Sequence, residues 1–165
     1  MMRKLAFLAP VGAVLALAAG PAFADPASIN VTLGPDLQDK VDELGERDVR
    51  EQADRLAEIV RRTLARSGGL DGARIDLVLT DLKPNRPTFQ QVAERPGLDA
   101  HRSLSIGGAA IEGSITTADG QVLPVSYDWY SNNLAEVRGF STWQDADRAY
   151  QRLASRLAEG RYVSR

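Results

Sequence analysis

The chain has 165 residues, 44% of them hydrophobic, with 20 Lys plus Arg against 22 Asp plus Glu, a single histidine and no cysteine. Without cysteine there is neither a disulfide nor a thiolate metal site, and one imidazole cannot build a histidine-rich one; any metal would have to be a hard cation held by carboxylates. The balance of charge argues against nucleic acid and anionic membrane as partners, because phosphate binding needs clustered positive charge.

Residues 1–24 read as a secretory signal peptide. Arg3 and Lys4 precede an almost wholly apolar run from Leu5 to Ala19, and Ala22-Phe23-Ala24 places small residues where cleavage after Ala24 requires them. The run is shorter than the ~20 residues of a spanning helix, so no membrane span is expected in the mature chain. No cysteine stands at the cleavage point for acylation, and no arginine pair precedes the apolar run. The expected product is a soluble periplasmic protein forming one domain over residues 25–165, with a net charge near −4 once Arg3 and Lys4 are removed.

Ile29, Val31 and Leu33 alternate with polar residues as a half-buried strand does, and Gly34-Pro35-Asp36 ends it. Leu37, Val41 and Leu44 recur at helical spacing up to Gly45. In the next helix Asp48 and Glu51 form a capping box, while Val49, Ala53, Leu56, Val60 and Leu64 keep one apolar face until Gly68-Gly69. On its other face Glu51 with Arg55, and Glu58 with Arg62, are spaced four apart as on a solvated surface.

Residues 74–82 form a second strand, with Ile75, Leu77 and Leu79 on one face and Asp76, Val78 and Thr80 on the other. The segment KPNRPTFQQVAERPGLDAH, residues 83–101, is punctuated by Pro84, Pro87 and Pro96; Thr88 and Gln91 cap a short helix through Glu94. So long a connection is a lid, a docking element or a covering loop, and the covering loop is the preferred reading. Leu104 and Ile106 then differ in parity from Ile111 and Ile115, which implies a bend in a strand at Gly107-Gly108. Thr117-Ala-Asp-Gly-Gln121 is a hairpin turn returning as the strand Val122 to Tyr130, with Pro124 suited to an edge. Along it Leu123, Val125, Tyr127 and Trp129 share one face; Ser126, Asp128 and Tyr130 share the other. A last helix starts at Ser141 or Thr142 and carries Trp143, Ala146, Tyr150, Leu153 and Leu157 on one stripe, with Arg152 and Arg156 toward its negative end and Gly160 as its stop. The order β-α-β-loop-β-β-α predicts an α+β two-layer sandwich, a small, mostly antiparallel sheet covered on one face by two main helices.

Little of this pattern carries chemistry. There is no G-x-S-x-G elbow, and His101, the sole imidazole, sits at the end of the loop as a surface residue. Asp145 and Asp147 point 200° apart around a helix and cannot chelate one ion. Glu112 and Asp128, on adjoining strands, read as solvated carboxylates rather than an acid/base pair. Glycines 107, 108 and 113 fall within strands, not in a phosphate cradle. Trp129, Trp143, Tyr127 and Tyr150 all map to buried faces. Burying one such ring stabilises by on the order of 3–5 kcal/mol, so a core without disulfides uses them. Tyr130 is turned outward.

The stretches VTLGPDLQDKVDELGERDVREQADRLAEIV, GGAAIEGSITTADG and VSYDWY with STWQDADRAYQRLASRLAEG resemble a family of small proteobacterial exported proteins of unknown function, and distantly the ends of uncharacterised envelope lipoproteins. That resemblance implies no catalytic residue and no cofactor. The expected function is a non-enzymatic interaction or accessory protein of the cell envelope, with a protein or envelope component as partner. A small-ligand or lipid carrier, with a pocket between the sheet and the 83–101 loop, is the alternative, and a carboxylate-based hydrolase the second. The candidate binding residues are Asp128, Tyr130 and Phe89.

Overall fold

The computed structural model describes residues 25–137 and 141–163; the expected signal peptide lies outside them. Strand β1 (Ser28–Leu33) leads through two single-turn helices, α1 (Pro35–Gln38) and α2 (Val41–Leu44), into the long α3 (Glu46–Ser67). Strand β2 (Arg74–Lys83), helix α4 (Phe89–Glu94), the hairpin β3 (Gly108–Thr116) and β4 (Val122–Tyr130), and α5 (Gln144–Ala158) follow. The sheet order is β1-β2-β3-β4. β1 runs parallel to β2, as expected across a helical crossover, and the other pairs are antiparallel. This is an α+β two-layer arrangement, with α3 and α5 against one face.

The core lies between those layers. Val49, Leu56, Val60 and Leu64 of α3 and Ala146, Ala149, Tyr150, Leu153 and Leu157 of α5 are buried against Ile75, Leu77, Leu79, Ile111 and Ile115. The alanines of α5 let it approach α3 closely. Burial drives the Tyr150 phenol well above its ordinary value. A bulge between Leu79 and Asp81 resets the register, so Leu82 faces the core while Asp81 and Lys83 face the opposite side.

Four local expectations are corrected. Helix α3 starts at Glu46 with Gly45 as its N-cap, and no side chain caps it. Gly45, at φ +96°, turns the chain directly out of α2, so Asp48 falls inside the first turn. Arg55 does not pair with Glu51, which binds Arg47 at 2.7 Å; it reaches across to Asp147 of α5 at 3.0 and 2.9 Å and ties the two helices together. Leu104 and Ile106 lie outside β3, which begins at Gly108, and both are exposed. Their parity mismatch arises because no strand exists there. Finally, α5 begins at Gln144, with Trp143 at the N-cap and no serine or threonine cap.

Candidate functional site

Among the described residues no helix packs over the second face of the sheet. Pairing places Thr32, Val78, Glu112 and Ser126 in one row across it and Ala110 beside Asp128 in the next. Because Thr80, Ala110 and Ser126 are small, the surface dips into a shallow cavity of about 330 Å3, walled by Glu112, Asp128 and Tyr130. Glu112 and Asp128 are exposed and enter no ion pair among the described residues. As diagonal neighbours on antiparallel strands they stand about 7–8 Å apart by strand geometry.

Tyr130 shares this face but is not free. Its hydroxyl donates to Asp81 Oδ2 at 2.7 Å, and Lys83 Nζ lies 4.8 Å from its ring centroid. Burial, then the hydrogen bond to Asp81, raises the phenol far above its usual value. Asp81 also accepts from Lys40 at 2.9 Å. Burial pushes the Asp81 carboxyl up, but the bonds from Lys40 and Tyr130 and the charges of Lys40 and Lys83 outweigh it and leave it below the ordinary carboxylate value. Tyr130 therefore forms a fixed wall of the cavity.

Phe89 is elsewhere. It is 87% exposed on α4 and borders a surface hollow with Gly45, Glu46 and Asp48 at the start of α3. The structure brings Asp128 and Tyr130 together and leaves Phe89 apart, because the Thr88–Gln91 capping box fixes α4 with that ring turned to solvent.

The connection 84–107 is fastened at its root. Asn85, 1% exposed, donates from Nδ2 to Asp145 Oδ2 at 2.6 Å and accepts the Asp145 amide at 2.8 Å, while its own amide donates to the Thr142 carbonyl at 2.7 Å. The loop thus supplies the cap that α5 lacks in its own sequence. Asp145, equally buried, also accepts from Ser131 at 2.8 Å and from Arg148 at 3.1 Å. Beyond this root the loop encloses an apolar pocket of about 320 Å3, lined by Pro84, Pro87, Leu98, Leu104 and Ile106 with Lys83 and Arg95 among its walls.

Sequence reasoning missed a third surface. Arg152 and Arg156, read there as partners of the helix dipole, lie over the rings of Trp129 and Tyr127 at 4.8 and 5.6 Å. Strand parity does turn those rings toward α5, but arginines, not only helix, cover them. Among the described residues no group of three or more His, Cys, Asp or Glu is placed to hold a metal ion, and no helix is long and apolar enough to cross a membrane.

No known protein-family model matches the chain, and no curated protein matches it either. The functional reading therefore rests on these surfaces.

Proposed function

We propose that the protein is an exported, non-enzymatic interaction protein of the cell envelope that engages a basic segment of a partner protein through the open face of its sheet. The observation that carries this reading is the shallow cavity between Glu112 and Asp128, two exposed carboxylates that, among the described residues, have no cation of their own and lie on a face no helix covers. A lysine or arginine from a partner fits between them, and Tyr130 gives the cavity a rigid wall. Export is supported by the leader pattern of Arg3, Lys4 and the apolar run that follows.

A second reading is favoured by a specific observation. The apolar pocket under Leu98, Leu104 and Ile106, with Lys83 and Arg95 in its walls, suits a small apolar ligand with an anionic end. One experiment separates the two. A photo-crosslinking residue is placed at Ser126, exposed on the open face opposite Glu112 in the strand pairing, and the protein is recovered from periplasmic and membrane fractions for mass spectrometry. A crosslinked protein that disappears when Glu112→Lys and Asp128→Lys are introduced supports the first reading. Recovery of no protein above background, together with a co-purifying apolar small molecule, overturns it in favour of the carrier.

A further inference from the structure

Helix α5 carries Arg148, Arg152 and Arg156 at four-residue intervals, which puts them on one stripe about 12 Å long. Like charges at that spacing repel and destabilise an isolated helix. Arg161, just beyond the helix, joins them around a groove of about 490 Å3 whose floor includes Tyr127. The groove lies on the helix side of β4, opposite the acidic open face, and is independent of the reading proposed for that face.

The arginines are held, and only partly neutralised. Arg148 is paired with the buried Asp145, and Arg161 with Glu159. Arg152 rests on Trp129, whereas Arg156 rests on Tyr127 and donates to the Val163 carbonyl at 2.8 Å; neither has a carboxylate partner among the described residues. An aromatic ring beneath a guanidinium fixes its plane and leaves its edge donors to face outward. Planar forks of this kind match phosphate oxygens two at a time. In a chain with 22 acids to 20 lysines and arginines, gathering four arginines at one groove is a local inversion of charge that overall composition conceals.

We infer that this groove is an anion-binding site for a ligand carrying two or more phosphate groups, whether a free oligophosphate or a phosphorylated lipid headgroup. One phosphate meets Arg152 and Arg156 between their rings, and the stripe extends far enough for a second at Arg148 or Arg161. Single ions such as sulfate engage only part of the stripe and bind more weakly.

The test uses the purified protein with Trp143→Phe, which leaves Trp129 as the sole tryptophan. Tripolyphosphate, inorganic phosphate and sulfate are titrated while Trp129 fluorescence is followed, and vesicles of phosphatidylcholine with or without phosphatidylinositol 4,5-bisphosphate are tested by flotation. Tripolyphosphate is expected to saturate the signal and to bind about tenfold or more tighter than sulfate, with affinity falling as salt rises. The double variant Arg152→Ala/Arg156→Ala is expected to weaken binding about tenfold or more while circular dichroism stays native. A control, Arg47→Ala/Arg50→Ala on the exposed side of α3, is expected to leave it unchanged. Binding of soluble tripolyphosphate alone identifies a free ligand, and flotation only with phosphatidylinositol 4,5-bisphosphate identifies a headgroup. Absence of saturable binding in both arms overturns the inference. So does equal weakening by the α3 control, which would mean that bulk charge alone was sensed.

Discussion

Asn85 comes from a proline-punctuated loop, yet its side chain caps a helix to which it does not belong. Its amide group faces the Asp145 carboxylate and the Asp145 N–H together, and it donates to the Ser105 carbonyl at 3.3 Å as well. Removing it leaves buried groups unpaired, which costs far more than the net worth of the bonds themselves. Asn85→Ala is expected to lower stability by about 2–4 kcal/mol in urea denaturation. Asn85→Asp keeps the shape but sets a second carboxylate against Asp145 where a donor stood. At neutral pH the two repel, and the pair favours sharing one proton, so a carboxyl of the pair is raised above its unfolded value. A group raised in this way stabilises the fold below its unfolded value and loses that contribution as pH rises. The deficit of Asn85→Asp relative to the native protein is therefore expected to shrink between pH 7 and about pH 4.5. A deficit independent of pH would mean that the Asn85–Asp145 contact is not what the loop contributes.

At the scale of the element, β3 is made by two glycines whose places no other residue fits. Gly113 has φ +153°, and a Cβ there would stand 2.2 Å from the Asp76 carbonyl oxygen on β2; one at Gly108 would stand 2.2 Å from the Trp129 carbonyl oxygen on β4. Both obstacles are backbone, which cannot rotate away. Gly113→Ala is expected to destabilise by about 2–4 kcal/mol and to loosen the β2–β3 ladder in amide hydrogen exchange. A variant with native stability would show that the strands part without cost. These constraints also explain what the sequence made legible. Alternation located β1, β2 and β4 because each strand has one face toward the helices, and Thr88 with Gln91 located α4 because a capping box is local. The start of α5 was not legible, since its cap comes from residue 85, 60 positions away. For the same reason the partner of Arg55 was misread: the spacing to Glu51 is visible in one dimension, whereas Asp147 is a neighbour only after α3 and α5 have packed. At the candidate site, parity placed Asp128 and Tyr130 on a common face, but the bulge that brings Asp81 under the Tyr130 hydroxyl shows in β2 only as a shift of apolar parity from Leu79 to Leu82, too short a signal to name the partner.

The whole molecule is organised by one apolar cluster fed from both halves of the chain: β1, α3 and β2 before the long connection, and β3, β4 and α5 after it. The connection contributes no residue to that cluster. Its buried members are Asn85, Thr88 and Gly107, none with an apolar side chain, and its apolar side chains Leu104 and Ile106 line the loop pocket instead. Gly97 marks its tip, exposed, with φ +96° and open space around it. Chain continuity at such a tip matters little to a core assembled by long-range packing, and the entropic cost of lengthening a loop grows only slowly with its length. Insertion of a specific protease site after Gly97 is therefore expected to preserve the far-ultraviolet spectrum. After cleavage the two fragments are expected to stay together through size-exclusion chromatography, because Asn85 and Asp145, Arg55 and Asp147, and the β2–β3 pairing all join one fragment to the other. The cleaved protein then unfolds in a single transition, at a lower midpoint that depends on concentration, since unfolding now releases two chains. Separation of the fragments without denaturant would place the stabilising role in the continuity of the loop and not in the shared core.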